Sequence, residues 1–98
     1  MIKIGIKKEN NKIEEILIKG HALYDDYGKD IVCASVSSIV ITTVNAIESI
    51  DKDSISYDEK GFLIKILKHD LVIDKLISNM INLLKELERD YPNNIKFL

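Results

Sequence analysis

The sequence predicts a small α+β domain in which two helices pack against β-hairpins and a mixed sheet. Isoleucine alternates with polar residues in several short runs, which is the two-residue period of a half-buried strand. Two longer segments repeat their apolar residues every three or four positions, which is the period of one helix face. The resulting order is ββαββαβ, and 98 residues fit a single domain over residues 1–98.

The first two strands form a predicted hairpin that ends at Gly20. Isoleucine alternates with polar or small residues on both sides of a polar turn at residues 9–11. The alternating residues are Ile2, Ile4, Ile6, Ile16 and Ile18. Residues 20–29 show no period and contain adjacent aspartates, which indicates a loop whose ends flank the candidate chemistry.

The segment 31–50 is the first predicted helix, although its β-branched residues favour a strand locally. It is too long for an ordinary strand, and its interspersed hydroxyl and charged residues favour a buried helix over a membrane span. Apolar residues and one threonine share a face at Val32, Val36, Ile39, Val40, Thr43 and Ile47. Asp30 is the predicted N-cap, which places Cys33 at the third helical position.

A second hairpin and a second helix follow. Alternating residues lie on both sides of a turn at residues 58–61, where Gly61 suits a positive φ angle. These residues are Ile55, Tyr57, Phe62, Ile64 and Ile66. Asp70 is the predicted cap of a helix with the apolar stripe Val72, Ile73, Leu76, Ile77, Met80, Ile81, Leu84 and Leu87.

The chain after the second helix predicts a short closing strand. Tyr91 and Pro92 end the helix, because the residue before a proline disfavours helical backbone. Ile95 and Phe97 then alternate with polar residues.

Composition excludes several classes of function. The formal net charge is -2 and the lysines are scattered between carboxylates, so no direct nucleic-acid binding is expected. A lone cysteine forms no internal disulfide, and the N-terminus lacks the apolar core of a signal peptide. We therefore expect a cytoplasmic protein that does not bind a membrane.

The strongest candidate for chemistry is Cys33, the only cysteine of the chain. A cysteine at its ordinary pKa of ~8.5 is only a few per cent thiolate at neutral pH, so it needs an activating environment. A helix N-terminus and a nearby imidazole both favour the thiolate. His21 is placed to accept the thiol proton and return it to a leaving amine. Backbone N–H groups at Cys33 and Ala34 are candidate donors to an oxyanion.

The residues around this pair have structural interpretations as well. A lone cysteine is most often a buried, inert side chain. Asp30 suits a helix cap better than a catalytic carboxylate, although it can also face His21. Ser37 follows Cys33 by one turn and can simply bond to the preceding carbonyl. Gly20 and Gly28 suit special backbone conformations.

Other side chains are weaker candidates. Tyr24 and Tyr27 can contact a substrate or cover the edge of the core. His69 has no obvious partner and is interpreted as structural or exposed. One cysteine and two histidines are too few soft ligands for a zinc site, and no phosphate-binding glycine loop is present. We expect no metal and no cofactor.

One segment resembles a known family. It runs from Gly20-His21-Ala22 through Gly28 to Asp30-Ile31-Val32-Cys33-Ala34 and Ser37. This pattern resembles the ribosomal-processing cysteine protease family called Prp, and the chain length and element order are similar to that family as well. Residues 44–47 in the first helix also fit. The resemblance covers essentially the whole chain.

The resemblance implies a specific activity. Members of the family remove a short N-terminal extension from large-subunit ribosomal protein number twenty-seven, cutting after bulky apolar and aromatic residues and before a small residue. Carried over by position, it makes Cys33 the nucleophile and His21 the base. Asp30 and Ser37 match further motif positions, as cap or orienting residue and as support. It also implies a peptide substrate, movement of the loop at residues 22–30, and a homodimer.

Two alternatives stay open at the level of sequence. The first is a non-catalytic ribosome-assembly factor that binds the same ribosomal protein and keeps Cys33 in its core. The second is a thiol redox sensor, which needs only a reactive cysteine but here lacks a resolving one. A reactive, accessible thiol argues against the first, and a substrate peptide that is cut argues against both.

Overall fold

The computed structural model describes residues 1–26, 28–58 and 62–98 and confirms the predicted order of elements. The elements are β1 (Ile2–Glu9), β2 (Lys12–Lys19), α1 (Ile31–Ile50), β3 (Ile55–Asp58), β4 (Leu63–Ile66), α2 (Leu71–Asp90) and β5 (Ile95–Phe97). The strands form one mixed sheet in the order β3-β4-β2-β1-β5. β5 pairs with β1 in parallel, and the other pairs are antiparallel. The predicted α+β fold class is confirmed.

The hairpin of β1 and β2 closes through two asparagines. Asn10 and Asn11 have φ angles of 52° and 63°, the left-handed conformation that a two-residue hairpin turn of this kind requires. Asparagine adopts it at lower cost than most residues. The register then sets Ile4 opposite Ile18, which directs both side chains to the covered face of the sheet.

Both helices pack on that one face of the sheet and against each other. α1 is long and apolar enough to cross a membrane, with a mean hydropathy of 1.7, but its apolar stripe is buried in the core. The buried residues of α1 are Val32, Val36, Val40, Thr43, Val44 and Ile47, and those of α2 are Ile73, Ile77, Met80, Ile81 and Leu84. One predicted stripe residue is wrong: Val72 is 52% exposed, because it lies on the solvent side of the first turn.

The second hairpin and the two helix starts also agree with prediction. Ile55 pairs with Ile66 across β3 and β4, while the predicted turn residue Gly61 lies outside the described residues. Asp30 and Asp70 both have extended backbone and accept hydrogen bonds from the first turn of the helix that follows. These are the caps that the sequence predicts.

The chain after α2 returns to the first strand. α2 ends at Asp90 with Tyr91 as its C-cap, and a turn leads to β5. The Asn94 carbonyl accepts a 2.8 Å hydrogen bond from the Ile2 N–H, and Ile95 lies opposite Ile2. This turn therefore lies beside the end of β2, where the functional loop begins.

Candidate active site

A cleft of about 550 Å³ opens between the loop after β2 and the first turns of α1. It is lined by His21, Leu23, Asp25, Gly28, Asp30, Cys33, Ala34 and Ser37. The predicted nucleophile, the predicted base and the supporting polar residues thus share one surface. They come from two segments that the first hairpin and α1 hold side by side.

The thiol of Cys33 borders this cleft and is contacted by the loop backbone. Cys33 is half-buried, and its Sγ accepts a 3.3 Å hydrogen bond from the N–H of Ala22. Ala22 is only 1% exposed, so this N–H is held in the protein interior. The peptide that joins His21 to Ala22 therefore lies against the sulfur.

The imidazole of His21 is exposed and unanchored. Among the described residues it makes no hydrogen bond, and the Asp30 carboxylate is bonded to backbone groups instead. An imidazole without a fixed partner can turn about its side-chain bonds toward the sulfur or toward a bound peptide. The His21 side chain lines the cleft.

Asp30 ties the loop to the helix through four backbone donors. One oxygen accepts the N–H groups of Val32 and Cys33, each at 3.0 Å. The other accepts those of Tyr24 at 3.0 Å and Asp25 at 3.4 Å. Loss of hydration opposes ionisation of Asp30, but these N–H groups together outweigh it and lower its pKa. The ionised carboxylate fixes both sides of the cleft.

The predicted oxyanion donors at the helix start are wrong for this conformation. The Cys33 N–H donates to the Asp30 carboxylate, and the Ala34 N–H donates to the Asp30 carbonyl at 3.1 Å. The cap thus uses the donors that an oxyanion would need. The N–H group that contacts sulfur belongs to Ala22 in the loop.

Left-handed backbone shapes the loop. Gly20 has a φ angle of 91°, and a Cβ there would collide with the Met1 carbonyl oxygen. Gly28 has a φ angle of 85° in open space. Both glycines fit the conformational interpretation. Leu23 also has a positive φ angle, 55°, and its side chain is 78% exposed at the cleft.

The tyrosines and Ser37 occupy different places. Tyr24 packs edge-on against Tyr91, with ring centroids 5.3 Å apart and an interplanar angle of 83°. Tyr24 is absent from the cleft lining, and Tyr27 lies outside the described residues. Ser37 lines the cleft one helical turn after Cys33.

One residue of this region is missing from the sequence-based candidates. The side-chain amide of Asn94 donates a 2.9 Å hydrogen bond to the carbonyl of Ala22, across 72 positions of sequence. No motif or period marks Asn94, because only the pairing of β5 with β1 brings it to the loop.

His69 has partners that the sequence did not reveal. Its Nδ1 lies 2.7 Å from Asp74 Oδ1, and its Nε2 lies 3.1 Å from Glu14 Oε1. The hydrogen bond that Asp74 accepts from the His69 ring raises the pKa of His69 most; partial burial opposes the rise, and Glu14 adds to it. The predicted lack of a partner is wrong, while the structural interpretation fits. Within the described ranges, no group of three or more His, Cys, Asp or Glu side chains could hold a metal.

Known proteins resemble this chain along its length. The family model described as cysteine protease Prp matches residues 1–96. The ribosomal processing cysteine protease Prp of Staphylococcus aureus is 31% identical over 102 residues, covering 98% of this chain and 96% of the relative.

Two solved structures are similar in fold. An essential ribosomal processing protease Prp from S. aureus with a covalently linked product peptide has a TM-score of 0.86 at 29% identity, covering 99% of this chain and 97% of that one. The S. aureus protease in complex with a substrate peptide has a TM-score of 0.77 at 29% identity, covering 100% and 98%.

Proposed function

Because this chain belongs to the cysteine protease Prp family and is a cysteine protease, we propose that Cys33 and His21 form its catalytic pair. The main support is the hydrogen bond from the Ala22 N–H to the Cys33 sulfur, which sets the residue beside His21 against the nucleophile. Both side chains line the same cleft. A cysteine that serves only in the core of a binding factor is expected to be buried, whereas Cys33 borders the cleft.

The chemistry follows from these two groups. His21 takes the thiol proton, and the thiolate attacks the carbonyl carbon of the scissile peptide bond to form a tetrahedral adduct. The adduct collapses as the C–N bond breaks, and the imidazolium gives its proton to the leaving amine. Water, deprotonated by His21, then attacks the thioester. The carboxylic acid leaves and the Cys33 thiol is regenerated with the proton that His21 returns.

The proposed substrate is the N-terminal extension of large-subunit ribosomal protein number twenty-seven. The S. aureus relative is a ribosomal processing protease that has been solved with a substrate peptide and with a product peptide. The exposed side chain of Leu23 and the methyl group of Ala34 give the cleft apolar surface suited to the bulky residues before the cleavage point.

Peptide entry requires the loop at residues 22–30 to move. In the conformation described, Asp30 holds Tyr24 and Asp25, and Tyr24 packs against Tyr91. The contacts of Tyr24 and Asp25 lie near the surface, so a bound peptide can replace them.

Cleavage of a synthetic peptide tests this function. The peptide spans the extension of the host's ribosomal protein, and mass spectrometry identifies the products. Cys33→Ala and His21→Ala should each lower kcat/KM by roughly 10⁴-fold or more, because both act on the reacting atoms. His69→Gln is the matched control, since it alters a histidine outside the cleft, and it should cleave at nearly the wild-type rate. Persistent cleavage by purified Cys33→Ala protein would reject the assignment.

The proposed assembly is a homodimer, as the family resemblance implies. Exposed apolar side chains on the helices offer surface for such contact, including Ile41 at 42% exposure and Ile50 at 55%. Analytical ultracentrifugation over a concentration series checks this, and a monomer at all concentrations would contradict it.

The proposed location is the cytoplasm. A nucleophilic thiol works only where it stays reduced, and the lone Cys33 matches that requirement. Fractionation of host cells with an antibody to the protein checks the location.

A further inference from the structure

Asn94 holds the backbone that contacts the catalytic sulfur, and its own position is fixed from two sides. Its N–H donates to the Tyr91 carbonyl at 3.0 Å, and its carbonyl accepts from the Ile2 N–H at 2.8 Å. The turn between α2 and β5 is thereby attached to the helix end and to the first strand. The side-chain amide of Asn94 projects from this rigid turn to the Ala22 carbonyl at 2.9 Å.

Ala22 links this amide to the thiol. Its carbonyl accepts from Asn94, and its N–H donates to Cys33 Sγ at 3.3 Å. The two groups belong to successive planar peptide units that meet at the Ala22 α-carbon, so once Asn94 holds one unit only the φ and ψ angles of Ala22 set the direction of the other. Ala22 is 1% exposed, and water cannot replace either bond from the solvent side.

The residue after Ala22 shows that this backbone needs to be held. Leu23 adopts a left-handed φ angle of 55° although it is 78% exposed and has no core contact to keep it there. Such a conformation is unfavourable for leucine and persists only where its surroundings impose it. Asn94 on one side and the Asp30 bond to the Tyr24 N–H on the other supply that restraint.

We propose that Asn94 is a positioning residue for catalysis: it orients Ala22 so that the Ala22 N–H stabilises the Cys33 thiolate. An N–H donor aimed at sulfur favours the anion over the neutral thiol. The inference rests on the proposed role of Cys33 as nucleophile. It assigns part of the thiol's activation to the turn before β5, far from His21 in sequence.

The first test uses thiol alkylation and needs no peptide substrate. Asn94→Leu keeps a side chain of similar size and removes the donor, and Asn93→Leu, at the exposed neighbour, is the matched control. At pH 7 Asn94→Leu should react with iodoacetamide about threefold more slowly than wild type, because loss of the N–H donor lowers the thiolate fraction while each remaining thiolate is more reactive. This deficit should vanish at high pH, where the thiol is ionised in every variant. Asn93→Leu should follow wild type throughout.

Equal alkylation rates of Asn94→Leu and wild type at every pH would overturn the proposal. A purely structural role for Asn94 would slow or speed alkylation equally at high and low pH. If the wild type cleaves no ribosomal extension but the alkylation difference is seen, the substrate assignment fails while the role of Asn94 stands. If the wild type cleaves the ribosomal extension but the alkylation difference is absent, the substrate assignment stands and the role of Asn94 fails.

A second test does not depend on whether Asn94→Leu folds. The chain contains three alanines, Ala22, Ala34 and Ala46, so ¹⁵N-alanine labelling of the wild type gives few amide signals to assign. The Ala22 amide proton should shift with pH in step with the alkylation rate, and this shift should disappear in Cys33→Ala. An Ala22 signal that ignores thiol ionisation would contradict the proposal.

Discussion

The N-terminal ends of the two helices have the same kind of cap but differ in how the nearby histidine is bonded. α1 and α2 each have 20 residues and each begin after an aspartate whose side chain accepts first-turn N–H groups. A histidine lies near each end. His21 is exposed and without a hydrogen bond among the described residues, whereas His69 is held between Asp74 and Glu14.

The difference lies in what remains free after the helix is capped. At α2 the imidazole has a carboxylate on each nitrogen, so it supports the fold and has no ring nitrogen left for a substrate. At α1 the carboxylate of Asp30 is fully used by backbone donors, which leaves His21 and the half-buried thiol facing a cleft. A histidine with both ring nitrogens hydrogen-bonded stabilises the fold, whereas a histidine that has no such bonds and shares a cleft with a thiol is available for chemistry.

Replacing each capping aspartate with alanine should give the largest difference in effect between the two helix ends. Asp30→Ala releases both the helix start and the loop residues Tyr24 and Asp25, so it should displace His21 from Cys33. Misplacement of about 1 Å can cost 10²-fold, and we expect kcat/KM to fall by about that factor. Asp70→Ala removes one bonded cap, to Ile73, and should lower the free energy of unfolding by about 1 kcal/mol.

Peptide cleavage and urea unfolding of both variants measure this contrast. Asp70→Ala should keep nearly wild-type kcat/KM at temperatures where it stays folded. Similar activity losses in the two variants would show that the caps matter only through stability, and the distinction between the two helix ends would fail.

The sequence predicted the elements well because each carries a local signal. Alternating isoleucines, the adjacent asparagines of the first turn and the two capping aspartates are recognisable from neighbouring residues alone. The stripe of α1 was recognisable despite its β-branched residues, since its length and three- to four-residue spacing outweigh their strand preference.

The site was only partly predictable for the opposite reason. Cys33 and His21 could be selected by residue type and motif, but their partners come from distant segments. Asn94 reaches Ala22 across 72 positions, and Glu14 reaches His69 across 55. Such contacts depend on strand order and helix packing, which no local period reports. The hydrogen bond from the Cys33 N–H to the Asp30 carboxylate likewise depends on the direction of the Asp30 side chain, which no local pattern reports.

The bonded histidine at the N-terminal end of α2 should make the stability of the fold depend on pH. The pKa of His69 is raised above its ordinary value of 6.5, chiefly by Asp74, so the folded state binds its proton more tightly than the unfolded state does. The stabilisation is therefore complete below pH 6.5 and is lost as pH rises through the raised pKa of the folded state. Because the group is partly solvated, we expect His69→Gln to cost about 1–2 kcal/mol at pH 6 and less at pH 9.

Thermal unfolding of wild type and His69→Gln between pH 6 and pH 9 checks this sign. The gap between the two proteins should narrow as pH rises. On the acid side, burial opposes ionisation of Asp74, but His69 and Lys12 outweigh it and lower its pKa below the ordinary 3.8. That contribution is present above pH 3.8 and is lost as pH falls through the lowered pKa. A gap that widens above pH 7 would contradict the assigned role of His69.

The smallest expected effect concerns the contact between the loop before α1 and the C-terminal end of α2. Tyr24 and Tyr91 meet edge to face at 5.3 Å, which links the functional loop to the helix C-cap. Pairs of this kind contribute about 0.5–1.5 kcal/mol beyond their buried area. A double-mutant cycle with Tyr24→Leu and Tyr91→Leu should therefore give a coupling of about 0.5–1 kcal/mol in the free energy of unfolding. Tyr24→Leu should also lower KM for the peptide, because the loop opens more readily when this contact is lost. Zero coupling, or an unchanged KM, would show that the contact between these two rings does not hold the loop closed.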